Sequence, residues 1–145
     1  MNAPTAVWPI RSSTKSVESL GDGLRFVFRN FPLSEVHPHA EHAAEIAEAA
    51  GTHRKFWEMH DMLYAHQRAL DDQHLAEYVA LLGVPTSEVK RALAQHAYAD
   101  RIREDFMSGV RSGVNGTPSF FINGLRHDGS YERDELLAAI AEAAR

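Results

Sequence analysis

Val114-Asn115-Gly116-Thr117-Pro118-Ser119-Phe120-Phe121-Ile122-Asn123-Gly124 decides the fold. Ser119 to Ile122 is a short apolar run of strand length and predicts a buried strand. Asn123-Gly124 follows directly, a pair that readily takes the two left-handed positions of a two-residue hairpin loop. Leu125 to Asp128 then returns as the partner strand. Upstream, the Thr117-Pro118 step admits two readings. An X–Pro bond can be cis in a tight, defined turn, or an ordinary trans proline can open the strand.

Working outward, the period changes from two to that of a helix. Ser130 is placed to cap a final helix carrying Leu136, Leu137 and Ile140. On the N-terminal side, Ser34 to Ala50 predicts a helix with Ala40, Ala43, Ala44, Ala47 and Ala50 on one small-residue stripe. A second helix over 53–68 places Phe56, Met59, His60 and Leu63 on one face. Asp71 caps a third, which carries Leu75, Tyr78, Val79 and Leu82 and stops at Gly83. Pro85 opens a fourth with Val89, Ala92 and Leu93 inward, and a fifth runs through Ile102 and Phe106 to about Val110. Leu24-Arg25-Phe26-Val27-Phe28 alternates and is rich in β-formers, so it reads as a strand. Before it, Thr5 to Trp8 suits a short strand ended by Pro9, and Ser12 to Leu20 a short helix. The order is strand, five helices, hairpin, helix.

With these segments in order, the chain resembles the DsbA-like branch of the thioredoxin superfamily, the thiol:disulfide oxidoreductases. The resemblance runs from about Leu24 to Tyr131. It rests on Gly116-Thr117-Pro118 with its strand and hairpin, Phe26-Val27-Phe28-Arg29-Asn30-Phe31-Pro32-Leu33, His37-Pro38-His39-Ala40, and Phe56-Trp57-Glu58-Met59-His60-Asp61. It implies an α/β, thioredoxin-like fold with a helical insertion at about 34–112, inside a domain at 24–145. Residues 1–23 are then a degenerate N-terminal segment, with the first strand and redox segment degenerate or missing. The resemblance further implies that Pro118 is cis and that Thr117 offers free backbone groups to an extended peptide or to glutathione. Trp57 joins these two as a ligand-binding residue.

The chain has no cysteine among its 145 residues. Thiol–disulfide exchange needs a thiolate attacking a disulfide sulfur and a second thiol to resolve the product. The resemblance places a C-x-x-C at the start of the first helix, where the dipole lowers the thiol pKa. Two alignments stand for that segment. In one, Ala3-Pro4-Thr5-Ala6 is the remnant of the redox motif, with alanine at both cysteine positions. In the other, Thr5 to Ile10 is the strand and Ser12-Ser13-Thr14 begins the helix. Ser12 and Ser13 then read as helix caps, or as alternative thiol-polarising residues like the serine of related glutathione transferases.

Composition narrows the classes. A net charge of −5 leaves no global footprint for nucleic acid, and no apolar run approaches the ~20 residues of a membrane helix. No signal peptide is read in Met1 to Ile10, which makes the cytoplasm the default location. His37, His39 and His42 cluster in sequence, yet the resemblance accounts for His37 and His39 as structural, so no metal site is assigned. His60 reads as a core histidine. Glu41, Glu45 and Glu48 read as a solvated helix face, and Arg101, Arg103, Glu104 and Asp105 as a salt-bridged surface. Phe56, Trp57, Tyr64 and Tyr78 read most simply as core. No phosphate loop or nucleophile elbow is present, and no cofactor is implied.

The expectation is therefore a cysteine-less, redox-inactive family member that keeps at most peptide or thiol-ligand binding near Thr117 and Pro118. Two alternatives remain. One is a glutathione-dependent transferase or isomerase using a serine. The other is a strand-pairing assembly module, forming a homodimer through an incomplete sheet.

Overall fold

The computed structural model describes residues 20–145. The expectations for Ala3, Pro4, Thr5, Ala6, Ser12 and Ser13 lie outside the described residues. Within them the chain is mixed α/β. After a 3-10 turn at Gly21–Gly23 come helices α1 (Ala40–Gly51), α2 (Phe56–Ala65), α3 (Asp72–Leu81), α4 (Thr86–Ala94) and α5 (Ala99–Arg111). Strands β1 (Phe120–Ile122) and β2 (Leu125–His127) and helix α6 (Arg133–Ala143) complete the order. The chain divides into two compact units. Among the described residues one is the helical unit, from Arg29 to Gly113; the other joins residues 20–28 with Val114–Arg145.

In the helical unit α1 packs against α2, α3, α4 and α5. The alanine stripe makes this possible, because side chains ending at Cβ let neighbouring helices approach closely. Ala40, Ala43, Ala44, Ala47 and Ala50 are all buried, together with Ile46 from the same helix. Met59, Leu63, Leu75, Val79, Val89 and Ile102 bring the other helices to the same core. Burying side chains of this size is worth about 1.5–3 kcal/mol each.

Boundaries follow local chemistry. Helix α1 starts at Ala40 and not at Ser34, because His37 precedes a proline and is biased away from the α region. Pro38 also has no N–H to donate one turn back. The segment between instead forms turns, with His37 N–H donating to the Leu33 carbonyl at 2.8 Å. Helix α2 is confined to Phe56–Ala65 between Arg54, at φ +59°, and His66, at φ −121°. Asp71 caps α3, its side chain accepting from His74 N–H at 3.3 Å. Gly83 ends that helix at φ +72°, with Val84 N–H donating to the Val79 carbonyl at 3.1 Å. That is the left-handed terminus a glycine favours.

In the second unit β1 and β2 pair antiparallel, Ile122 opposite Leu125 and Phe120 opposite His127. Asn123 (φ +49°) and Gly124 (φ +83°) close the loop, the backbone of a type I′ turn. The expected buried strand is only half-buried: Phe121 is 41% exposed, while Phe120 meets Tyr131 at 5.9 Å between ring centroids. Helix α6 lies against β1 and contributes the buried Leu136. It begins at Arg133, with Glu132 at its N-cap. Ser130 is not the cap; its Oγ accepts from Glu132 N–H at 3.1 Å in a turn just before the helix.

Leu24–Phe28 departs from expectation, since it is not assigned to a strand. Burial nonetheless alternates from Leu24 to Asn30, with even positions inward. Alternation is a local property that the sequence sets, whereas a ladder needs a neighbouring strand. Among the described residues the one ladder is β1–β2.

Candidate functional site

Gly113, at φ +85°, turns the chain out of α5. The chain then runs through Val114 and Asn115 into a bend at 116–118, and the Thr117–Pro118 peptide is cis. Ser119 Oγ donates to the Gly116 carbonyl at 2.8 Å and holds the bend closed. Neither the N–H nor the carbonyl of Thr117 has a hydrogen-bond partner among the described residues. Its Oγ1 is buried and also has no partner among the described residues, a departure from the usual pairing of buried polar groups. The turn thus leaves one main-chain donor and one acceptor at Thr117 without partners among the described residues. Asn115 flanks it, its Oδ1 accepting from Arg126 Nη2 at 3.4 Å. Arg126 Nε also pairs with Asp128 at 3.2 Å.

Trp57 belongs to the helical unit, and Thr117 and Pro118 to the other. It lies at the start of α2 with its indole 43% exposed, so it is not the core residue its helical spacing suggested. It stands edge-on to Phe56 at 5.2 Å. Tyr64 and Tyr78 are buried as expected. Burial holds the Tyr64 phenol well above its ordinary pKa.

Polar groups inside the helical unit correct a second expectation. Glu45 is 1% exposed, and Glu48 is half-buried, so only Glu41 of the three lies on a solvated face. The physical reason is the position of α1, which four other helices surround. Burial raises the Glu45 pKa, opposed by the nearby His96 and His42. Its Oε2 has no hydrogen-bond partner among the described residues, and His96 Nδ1 stands 4.0 Å away. His60 is buried as read from its helix face, with Nδ1 at 3.0 Å from Asp61 Oδ1. Burial lowers its pKa, and the Asp61 hydrogen bond partly offsets the shift.

Asn30 was not singled out by its sequence context. It is 2% exposed, and its Nδ2 donates to Glu48 Oε1 at 2.7 Å and to Asp105 Oδ2 at 3.1 Å. Its backbone N–H also donates to Asp105 Oδ2, at 3.0 Å. Arg101 pairs with Glu48 at 2.9 Å, and Arg29 with Asp105 at 3.5 Å. Part of the presumed α5 surface is therefore a clamp on the chain entering the bundle. The signal was present: Asn30 continues the inward phase of Leu24, Phe26 and Phe28.

The histidine cluster does not form a centre. His42 pairs with Asp72 at 3.2 Å. His37 and His39 line an open cavity of about 170 Å³ with Gln67, Arg68 and Asp71. Among the described residues no group of three or more histidine or carboxylate side chains is placed to hold a metal ion. No helix among them is long and apolar enough to cross a membrane.

Comparison with known proteins places these observations in a family. A stretch of the Na(+)/H(+) antiporter NhaA 1 of Salinispora arenicola (strain CNS-205) is 47% identical over 120 residues, 83% of this chain and 18% of that protein. The Na(+)/H(+) antiporter NhaA of Herminiimonas arsenicoxydans is 38% identical over 125 residues, covering 86% of this chain and 20% of that protein. NhaA 1 of Mycobacterium sp. (strain KMS) is 35% identical over 127 residues, 86% of this chain and 21% of its own length. The chain thus spans about a fifth of the length of these curated relatives. No solved structure matches it. The DSBA-like thioredoxin domain family matches residues 11–141, and the chain belongs to that family.

Proposed function

We propose that this chain is a redox-inactive DsbA-like domain that binds an extended peptide at Thr117, in the turn before Pro118. The observation that carries the reading is a joint one. The chain lacks every thiol that exchange chemistry needs, yet it keeps a turn whose main-chain donor and acceptor at Thr117 have no partner among the described residues. Peptide pairing uses those two groups and needs no sulfur. The curated relatives are named as Na(+)/H(+) antiporters, and the similar stretch is a small part of each. On this reading the domain is an accessory binding module, and its peptide is a polar segment of an NhaA-type antiporter.

The test pairs two assays on the intact chain. Isothermal titration uses an unstructured peptide copied from a polar segment of the Salinispora arenicola antiporter, and a disulfide-exchange assay uses the same preparation. Saturable binding without exchange is the expected result. Exchange by the chain, or no binding across a panel of such segments, would overturn the reading.

A further inference from the structure

Two Asn-Gly steps occur in the chain, Asn115-Gly116 and Asn123-Gly124, and the structure treats them differently. We propose that Asn115 is a site of self-modification, losing its side-chain amide to become an aspartyl or isoaspartyl residue two positions before Thr117. The Gly116 nitrogen attacks Asn115 Cγ and forms a new C–N bond, while the Cγ–Nδ2 bond breaks. Nδ2 leaves as ammonia, taking the proton from the Gly116 nitrogen. Water then opens the cyclic imide at either carbonyl. No oxidant or reductant takes part, and water is the only co-reactant.

Three features favour the first step at Asn115. The residue is exposed and lies outside any helix or strand, directly before the bend at 116–118. The Gly116 N–H that must attack is committed to no hydrogen bond among the described residues. Arg126 Nη2, 3.4 Å from Asn115 Oδ1, sets a positive charge beside the oxygen on which negative charge develops.

Asn123 has the opposite arrangement. It is fixed at φ +49° in the loop that closes β1 on β2. Bringing the Gly124 nitrogen onto Asn123 Cγ requires leaving that turn geometry and disturbing the Ile122–Leu125 pair. Its Nδ2, the leaving group, is also held by the Ala143 carbonyl at 3.2 Å. A Cβ at either Gly116 or Gly124 would meet nothing within 4 Å, so crowding does not separate the two sites. Backbone freedom and the guanidinium do.

The consequence for ligand binding rests on the function proposed above. A new carboxylate competes with Asp128 for Arg126. An isoaspartyl linkage adds a methylene to the main chain just before Gly116 and shifts the Thr117 donor and acceptor. Aged protein is therefore expected to bind peptide several-fold more weakly than fresh protein.

The experiment ages the intact chain in warm, mildly alkaline buffer and follows proteolytic peptides by mass spectrometry. A one-dalton gain should accumulate in the Asn115 peptide several-fold faster than in the Asn123 peptide, and the ratio should fall towards one in denaturant. Asn123 leading, equal rates in the folded chain, or an unchanged ratio in denaturant would overturn the proposal. Arg126→Gln should slow the Asn115 reaction and leave Asn123 unaffected; an unchanged Asn115 rate would remove the guanidinium from the account. Modification at Asn115 without loss of peptide binding would count against the binding reading and leave the chemistry intact.

Discussion

Asn30→Ala perturbs the helical unit at a point where one side chain joins two helices. The wild-type amide donates to Glu48 on α1 and to Asp105 on α5, at 2.7 and 3.1 Å. Hydrogen bonds to charged groups contribute roughly 1.5–3 kcal/mol each, so two independent bonds would total about 3–6 kcal/mol. Both hang on one nitrogen, and such neighbours do not add fully. Alanine also removes the buried Asn30 Oδ1, which has no hydrogen-bond partner among the described residues, and this offsets about 1–2 kcal/mol. Glu48 keeps Arg101, and Asp105 keeps Arg29 and the Asn30 backbone N–H. The net loss expected is about 2–3 kcal/mol.

For a chain of this length, 1 kcal/mol moves the midpoint by roughly 3–5 °C. Asn30→Ala should therefore melt about 10 °C lower, read by circular dichroism and checked by urea titration. Asn30→Asp supplies the internal contrast. It removes the Nδ2 donor and sets a third carboxylate beside Glu48 and Asp105, so it should cost more than alanine at neutral pH. The excess should shrink as the solution is acidified. A loss below about 0.5 kcal/mol for alanine, the range of ordinary surface changes, would refute the clamp.

Other outcomes follow from single observations. Glu45, with its pKa raised by burial, binds its proton more tightly folded than unfolded, so its contribution falls as pH rises from the ordinary carboxyl range through the folded value. His60, with its pKa lowered, acts oppositely, its contribution being lost as pH falls from about 6.5 through the folded value; Glu45→Gln should therefore steepen the acid loss of stability in melts across weakly acid pH. Thr117→Val removes a buried hydroxyl without a partner among the described residues, so stability should hold or rise by up to about 1 kcal/mol in urea titration, with peptide affinity kept because the main chain is untouched. Tyr78→Phe breaks the bond from Tyr78 Oη to the Ala69 carbonyl, 2.9 Å long, and should cost about 1 kcal/mol in the same titration.

The elements that the sequence reveals are those whose signals are local. Asp71 as a cap, Gly83 as a stop, the alanine stripe of α1 and the Asn123-Gly124 hairpin each depend on a few adjacent residues, and all four stand in the structure. Helical periodicity reaches back to Ser34, but Pro38 delays the start of α1 to Ala40. Leu24–Phe28 keeps strand alternation without a strand assignment, since pairing depends on neighbours that no window of sequence contains. Charge alone places Glu45 and Glu48 on a solvated face, whereas both lie among the buried Ala43, Ala44, Ile46 and Ala47 of α1. Thr117 and Pro118 were legible as a motif. The resemblance also implies the open main chain at Thr117, whereas the buried Oγ1 without a partner among the described residues is not legible, because it depends on packing that no local window of sequence contains.

The most direct measurement is an amide-resolved NMR titration of the intact chain with the antiporter-derived peptide, run beside one with glutathione. The account predicts saturable shifts concentrated on Val114 to Ser119 for the peptide, the same pattern in Thr117→Val, and none for glutathione. Peptide shifts absent from that turn, or glutathione shifts centred on it, would contradict a thiol-free peptide-binding domain.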